Sequence, residues 1–169
     1  MEEDKIEPTE ALYGGVDISM PDIPLPKAPE PVQETNKDEC DVAFKFAFVG
    51  AGQGGSRIAE AFHRLGYRKL SAINTAQQDL NTINLDHKLC IGEGGAGKNP
   101  EVAKSKFSEH KEDVIDFMRG VFGDDFDRIF ICAGAGGGTG AGTSIPLIHA
   151  AKELCEASKC PTKKVGVIL

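Results

Sequence analysis

The chain has 169 residues, which suits one domain of ordinary size, and it carries a formal net charge of −7. It contains no run of about 18 apolar residues and no apolar core of a signal peptide, so we expect neither membrane insertion nor secretion. Five cysteines without a C-x-x-C pair favour a reduced, cytoplasmic setting. The four histidines are scattered without metal-ligand spacing, and neither a protein-held metal nor a nucleic-acid contact is predicted.

The acidic charge is concentrated in residues 1 to 41, which hold twelve acidic and three basic side chains and six of the nine prolines. Their net charge is −9, which leaves +2 for residues 42 to 169. A segment of this composition cannot bury enough apolar surface to offset the entropy of ordering. We therefore predict a disordered tail that acts as a tether or binds an adaptor, with a plain solvated segment as the alternative.

The first strand and helix are predicted directly after this tail. Residues 42 to 49 are apolar and aromatic up to a glycine, as in a buried strand, and residues 50 to 56 form a glycine-rich turn. The next stretch keeps helical spacing and stops at Gly66. The apolar face of this helix is expected to comprise Ile58, Ala61, Phe62 and Leu65.

Two short strands follow, over residues 69 to 73 and 88 to 91. Residues 76 to 80, between them, are compatible with one helical turn. A second glycine-rich loop occupies residues 92 to 98, where the second of these strands ends.

A long helix is predicted next, with Asn99 as its N-cap and Pro100 at its first position. Gly120 and Gly123 are expected to close it. Its apolar face follows the four-three spacing of Ala103, Phe107, His110, Val114, Phe117 and Val121.

The last predicted strands are residues 128 to 133 and 164 to 169. Between them, a glycine run over residues 134 to 142 precedes a helix. Because a proline is tolerated in the first turn of a helix, Pro146 places the start of this helix near Thr143. Its predicted apolar face comprises Ile145, Ile148, Ala151 and Leu154.

The alternation of strands and helices over residues 42 to 169 predicts an α/β domain with a doubly wound parallel sheet and helices on both faces. The three glycine-rich loops follow strand ends, so they are expected to meet at the carboxyl edge of the sheet, where such folds bind ligands. We therefore interpret residues 42 to 169 as a nucleotide-binding domain.

One candidate motif is the dinucleotide fingerprint G-x-G-x-x-G, which residues 50 to 55 match in a strand-to-helix context. That fingerprint needs an acidic residue about 20 positions later to hold the ribose hydroxyls. The chain has Asn74, Thr75 and Ala76 there. An NAD(P)-dependent oxidoreductase is therefore a weaker alternative.

A second candidate is the P-loop, since residues 92 to 99 come within one residue of G-x-x-x-x-G-K-[S/T]. The position after Lys98 should hold a hydroxyl that ligates Mg²⁺, but Asn99 has none. Asn99 is better explained as a helix cap.

The glycine run is the most specific motif. Six glycines between residues 134 and 142 leave the backbone free to take positive φ and to approach a phosphate closely. Residues 136 to 142, G-G-G-T-G-A-G, resemble the tubulin signature G-G-G-T-G-[S/T/A]-G. Residues 52 to 58, 73 to 75 and 95 to 102 are similar to the other nucleotide loops of the tubulin and FtsZ superfamily, in the same order.

The resemblance implies a GTP-binding domain of a cytoskeletal GTPase that forms filaments by head-to-tail self-association. It implies GTP or GDP as the ligand, with Mg²⁺ held through phosphate and water. The loop of residues 53 to 55 would contact the α- and β-phosphates, residues 138 to 140 the β/γ end, and residues 97 to 99 the γ-phosphate. The implied nucleotide-binding residues are Gly52, Gln53, Gly54, Gly55, Ser56, Asn74, Gly97, Lys98, Asn99, Gly136, Gly137, Gly138, Thr139 and Gly140.

The chain departs from the family pattern in three respects. Ala76 stands where many FtsZ sequences have Asp, which removes a carboxylate that could contact metal-bound water, and Arg57 replaces a small polar residue. The acid loop that completes the site of a neighbouring subunit would lie beyond residue 169, as would the residues that recognise the base. We therefore expect a C-terminally truncated domain that has no catalytic residue of its own and binds nucleotide without efficient turnover. A non-catalytic filament cap or regulator is the alternative.

Overall fold

The computed structural model describes residues 43–158 and 163–169. These residues belong to the unit Asp41–Leu169. The predicted disordered tail, residues 1 to 41, lies outside this part of the chain. Within it, no helix has both the length and the apolar character needed to cross a membrane.

The described residues form five strands and five helices, with at least one helix between consecutive strands. The strands are β1 (Phe46–Ala51), β2 (Leu70–Asn74), β3 (Lys88–Cys90), β4 (Arg128–Ala133) and β5 (Lys164–Ile168). The helices are α1 (Gly52–Arg64), α2 (Gln77–Asn81), α3 (Pro100–Glu109), α4 (Lys111–Phe122) and α5 (Gly138–Ala157).

All neighbouring strands are parallel, in the order β3-β2-β1-β4-β5. Because β1 lies at the centre, the chain winds outward first to one side and then to the other, as in doubly wound folds. The carboxyl ends of β1, β2 and β4 therefore meet at one edge. The predicted α/β fold class is confirmed.

The sheet separates two apolar layers. Along β1 the side chains alternate, so that Val49 faces one layer and Phe48 the other. The Val49 layer is filled from α3, α4 and α5, with Phe107, Met118 and Leu147 among its buried side chains. The Phe48 layer is filled from α1 and α2, where Ala59 and Leu80 are buried. Both faces of the central strands are covered, which explains their continuous apolar sequence.

The single long helix predicted after Asn99 is wrong, because the chain forms α3 and α4 with a break between them. His110 ends α3 at φ −113° and ψ 20°, and the backbone N–H of Val114 donates to its carbonyl to start α4. The break rotates the buried face of α4 onto Ile115 and Met118, while Phe117 stays only partly buried. A constant four-three spacing could not reveal this rotation.

The predicted start of α5 near Thr143 is also wrong, because the helix begins at Gly138 and Pro146 is its ninth residue. The glycines of the run also differ from expectation, since none of them takes a positive φ. They permit close approach instead. A Cβ on Gly138 would lie 2.8 Å from the Asn99 nitrogen, and one on Gly140 would lie 2.6 Å from the Gly134 oxygen.

The predicted apolar face of α1 is only partly buried: Ile58 and Phe62 are half-buried against the core, but the other two residues are not. Leu65 is 73% exposed and Ala61 is also exposed, whereas Ser56 and Ala59 are fully buried against the sheet. On α5, Ile145 is likewise 65% exposed. Both helices also pack through small residues that allow close contact with their neighbours. On α5 the predicted Ala151 and Leu154 are nevertheless buried, as expected.

Candidate functional site

A cleft of about 580 Å³ opens at the carboxyl edge of the sheet. It is bordered by the ends of β1 and β4, by α2 and by the loop that precedes α3. Glycine and alanine dominate its walls, so backbone atoms form most of its surface. The lining residues are Ala51, Gly52, Gln53, Gly54, Ala76, Asp79, Gly94, Gly95, Ala96, Gly97, Lys98, Gly134, Gly136, Gly137, Gly138, Thr139 and Gly140.

The first wall is the turn from β1 into α1. Gly52 has φ 68°, which lets the strand pass directly into the helix, and a Cβ there would lie 2.8 Å from the Gly140 nitrogen. Gln53 and Gly54 are exposed in the first turn of α1. The buried Ser56 hydroxyl donates to the Gly52 carbonyl at 2.7 Å, so Ser56 stabilises this turn from behind.

The second wall is the beginning of α5. Gly138, Thr139 and Gly140 form its first turn and line the cleft. The first N–H groups of a helix lack intrahelical partners and carry the positive end of the helix dipole. Since α1 and α5 both begin at this cleft, two helix N-termini converge on the same space, an arrangement suited to an anion.

The third wall is the loop before α3, where Gly95, Gly97 and Lys98 have φ values of 81°, 55° and 61°. Among the residues that the structure describes, Lys98 is the one non-glycine with a positive φ. Asn99 follows it and accepts a hydrogen bond from the Glu101 N–H at 3.0 Å. The predicted capping of α3 by Asn99 and the position of Pro100 are thus confirmed.

Asn74 supports the end of β2 from inside the domain. Its side chain is 1% exposed, and its Oδ1 accepts the N–H groups of Thr75 at 2.8 Å and Ala76 at 3.3 Å. Its Nδ2 donates to Asp79 at 3.1 Å. Asn74 therefore shapes the turn that carries Ala76 and Asp79 into the cleft.

The structure brings most of the predicted nucleotide-binding residues together but keeps four away from the cleft wall. Gly55 and Ser56 are buried in α1, Asn74 is buried at the end of β2, and Asn99 caps α3. A Cβ on Gly55 would overlap the Cys132 carbonyl oxygen, so Gly55 is needed for packing. Those that line the cleft are Gly52, Gln53, Gly54, Gly97, Lys98, Gly136, Gly137, Gly138, Thr139 and Gly140.

Sequence reasoning missed Asp79 and Thr75. Asp79 lines the cleft, and Thr75 lies behind it with its hydroxyl 2.8 Å from that of Thr139. The signal for Asp79 was its place in the predicted helical turn after β2, one turn beyond the Asn-Thr pair. Further lining residues that the prediction did not include are Ala51, Ala76, Gly94, Gly95, Ala96 and Gly134.

Two charged side chains, Asp79 and Lys98, belong to this lining. Across residues 43–158 and 163–169, no group of three potential metal ligands occurs. A single carboxylate is still compatible with Mg²⁺, which is commonly bound by one or two carboxylates together with substrate phosphates and water. The residues present therefore fit a magnesium ion held together with a phosphate ligand.

Cys132 lies in β4 beneath Gly55 and is fully buried. Burial raises the pKa of its thiol to about 12. The group therefore stays protonated at neutral pH and is unsuited to nucleophilic chemistry.

A groove of about 540 Å³ between α3 and α5 is similar in volume but different in chemistry. Side chains such as Phe107, Ile145 and Pro146 make its surface mainly apolar. The converging helix N-termini are found at the glycine-lined cleft, which is therefore the better candidate site.

The strand order, the helices on both faces and the cleft at the carboxyl edge define an α/β domain of the ligand-binding, doubly wound class. The family model described as "Tubulin/FtsZ family, GTPase domain" matches residues 45–166. The chain belongs to this family. The resemblance inferred from its glycine-rich loops is thereby confirmed.

Individual relatives agree with this assignment. The cell division protein FtsZ of Aquifex aeolicus is 36% identical over 117 residues, which cover 65% of this chain and 30% of that protein. A GTPγS-bound protofilament of CetZ2 from Haloferax volcanii is 25% identical with a TM-score of 0.61, over 74% of this chain and 40% of the other. TubZ of Clostridium botulinum phage c-st is 27% identical with a TM-score of 0.63, over 73% and 40%. The chain thus spans well under half the length of these relatives.

Proposed function

We propose that the cleft binds GTP or GDP by its phosphates, and that the chain is the nucleotide-binding part of a filament-forming cytoskeletal GTPase. The observation that carries this proposal is the convergence of the α1 and α5 N-termini on a cleft walled by glycine. Backbone N–H groups can donate to phosphate oxygens there without a dense cluster of basic side chains.

Each loop would contact a different part of the triphosphate, as the family resemblance implies. Gln53 and Gly54 would meet the α- and β-phosphates, and residues 138 to 140 would meet the β/γ end. Gly97 and Lys98 would lie on the γ-phosphate side. Gly55, Ser56, Asn74 and Asn99 would act indirectly by holding the backbone of these loops, since they do not line the cleft.

Asp79 is the residue that we assign to magnesium. A carboxylate that shares a cleft with a polyphosphate is repelled by it unless a cation lies between them. Asp79 would hold such an ion through water, because its Oδ2 already accepts from Asn74. When bound, Mg²⁺ would neutralise phosphate charge. Asp79 would thus replace the carboxylate that Ala76 lacks.

The two competing motif interpretations have weaker support. The dinucleotide interpretation requires a carboxylate at the end of β2 that reaches the ribose, but Asn74 is turned inward to the backbone of Thr75 and Ala76. The P-loop interpretation requires a hydroxyl after Lys98, and the Asn99 side chain is engaged in capping α3.

Assembly and turnover are proposed for the longer protein by analogy with its relatives. The solved CetZ2 structure is a GTPγS-bound protofilament. We infer head-to-tail self-association in a cytoplasmic setting, with hydrolysis dependent on an acid loop from an adjacent subunit. The 169-residue chain would then bind nucleotide and release little phosphate.

The direct test is equilibrium binding of fluorescently labelled GTP to the 169-residue chain, with GTP, ATP and NADH as unlabelled competitors. Competition by GTP at lower concentration than ATP or NADH supports the proposal. A folded sample that binds no GTP, or that prefers NADH, contradicts it. Thr139→Val should weaken binding because it removes a hydroxyl from the cleft wall. Thr82→Val, at an exposed position outside the cleft lining, removes a hydroxyl that donates to the Asp79 carbonyl and should change the affinity much less.

A further inference from the structure

Thr75 lies directly behind Thr139 at the wall of the cleft. Their Oγ1 atoms are 2.8 Å apart, although the residues are 64 positions apart in sequence. Thr139 is 9% exposed and lines the cleft, whereas Thr75 is 1% exposed and does not line it. The pair therefore links an inner hydroxyl to the hydroxyl of a residue that lines the cleft.

The backbone of Thr75 is held on both sides. Its N–H donates to the Asn74 side chain at 2.8 Å, and its carbonyl accepts the Gly95 N–H at 3.0 Å. Gly92 packs against it so closely that a Cβ there would lie 2.9 Å from the Thr75 oxygen. Thr75 thus joins the end of β2, the loop before α3 and the first turn of α5.

Burial determines which of the two hydroxyl groups donates the hydrogen bond. Each hydroxyl has one hydrogen, so one threonine donates and the other accepts. If Thr139 donated, the Thr75 hydrogen would be buried without any acceptor among the hydrogen bonds of the described residues. That arrangement costs more than the reverse, in which Thr75 donates to Thr139.

The direction of this hydrogen bond determines how the Thr139 hydroxyl can interact with a ligand in the cleft. When Thr139 accepts from Thr75, its own hydrogen remains free for another acceptor, and Thr139 belongs to the cleft lining. A phosphate oxygen is an acceptor with no hydrogen to give, so it requires the donor orientation.

We propose that Thr75 is a positioning residue that holds the Thr139 hydroxyl as a donor toward a phosphate oxygen of the bound nucleotide. The inference rests on the proposed function, because it requires a phosphate in the cleft. It extends that function by assigning part of the phosphate affinity to a residue that does not contact the ligand.

The test is a double-mutant cycle on the 169-residue chain, with labelled GTP affinity as the readout. Thr75→Val removes the donor with little change in volume and should weaken GTP binding about three- to tenfold, the value of one ordinary hydrogen bond. Thr75→Ser keeps the hydroxyl and should restore affinity to within about twofold of wild type. The Thr75→Val, Thr139→Val double variant should bind about as well as Thr139→Val alone.

A purely structural role for Thr75 gives a different result. The double variant would then lose affinity as the product of the two single effects, or Thr75→Val would lower the unfolding temperature and leave affinity unchanged; either outcome overturns the inference. If Thr75→Val does not fold, Thr75→Ala takes its place in the cycle. A wild-type chain that is folded but binds no GTP would instead overturn the proposed function, and the inference with it.

Thr143→Val is a suitable control for the loss of a buried threonine hydroxyl. Its Oγ1 donates to the Thr139 carbonyl at 2.7 Å, so it touches the same residue without touching the hydroxyl. Its effect on affinity should be small and should multiply with that of Thr75→Val. Coupling of equal size at Thr143 would contradict a specific role for Thr75.

Discussion

Gly142 of α5 lies against the Pro100 carbonyl at the start of α3, so closely that a Cβ on Gly142 would overlap that oxygen. The same Cβ would lie 2.9 Å from the Ala103 side chain. The two helices can therefore touch only because position 142 has no side chain. Since α3 begins directly after Lys98 and Asn99, this contact also sets the position of the loop that forms the third wall of the cleft.

Gly142→Ala should lower the free energy of unfolding by about 1–3 kcal/mol, because the added methyl group forces α3 away from α5. Urea unfolding followed by circular dichroism measures the change.

Gly120→Ala is the matched control for this substitution. Nothing lies within 4 Å of a Cβ at Gly120, which is exposed within α4. Alanine should stabilise the protein there by about 0.5–1 kcal/mol. Equal effects at the two positions would contradict the close-contact explanation.

Alanine substitution of the adjacent glycines Gly54 and Gly55 of α1 should lower stability by very different amounts. A Cβ on Gly55 would overlap the Cys132 carbonyl oxygen, whereas one on Gly54 would lie 3.6 Å from the Gly134 Cα, an ordinary contact. Gly55→Ala should therefore cost more than about 2 kcal/mol of unfolding free energy, and Gly54→Ala less than about 0.5. Chemical denaturation of the two variants in parallel distinguishes them. Similar stabilities would mean that α1 can shift away from β4 at little cost.

The sequence predicted the sheet well because its signals are local. Each of the first four strands is a compact apolar run followed by glycine or by Asn-Thr, and the succession of strands and helices allowed few topologies. The helix faces were predicted only in part for α1 and α5: Leu154 is buried as predicted, but Leu65 and Ile145 are exposed. Much of the buried surface of these helices consists of small residues such as Ser56, Ala59 and Gly142, which hydrophobic periodicity does not detect.

The walls of the candidate site could be predicted from the sequence for a related reason. The contacts that hold those walls from inside the domain could not. Glycine-rich loops after parallel strands must meet at one edge, so the wall formed by residues 136 to 140 could be expected. The contact between Thr75 and Thr139 joins residues that are distant in sequence, and the placement of Asp79 depends on how Asn74 holds the following turn. Both contacts form only when the chain folds, so no local sequence pattern indicates them.

Asp79→Asn should remove the magnesium dependence of GTP binding. The amide keeps an oxygen that can accept from Asn74, so the turn should be preserved, but the negative charge that attracts the ion is lost. In EDTA, the variant should bind GTP as well as wild type or slightly better, because a charge that repels phosphate is gone. Titration of labelled GTP with and without Mg²⁺ measures both effects.

Glu93→Gln is the control for the loss of an acidic side chain near the site. Glu93 is exposed in the loop before α3 and does not belong to the cleft lining. It should keep the wild-type response to Mg²⁺. An Asp79→Asn variant that still binds GTP more tightly with Mg²⁺, by the wild-type factor, would show that Asp79 does not hold the ion.

Lys98 combines a left-handed backbone, φ 61°, with a charged side chain at the cleft, and the two can be separated by substitution. Lys98→Gly relieves the backbone strain and should raise the unfolding free energy by about 0.5–1 kcal/mol relative to Lys98→Ala, which keeps a Cβ.

Lys98→Gly and Lys98→Ala both remove the charge of the lysine side chain. Each should therefore weaken GTP binding by the same factor, about two- to fivefold at low salt, and by less at high salt. Lys98→Arg, which retains the charge, should bind GTP nearly as wild type. Lys104→Ala should have no effect, because Lys104 lies in the groove between α3 and α5 and not in the cleft. If Lys98→Gly binds as tightly as wild type at low salt, the ammonium group does not contribute to phosphate binding.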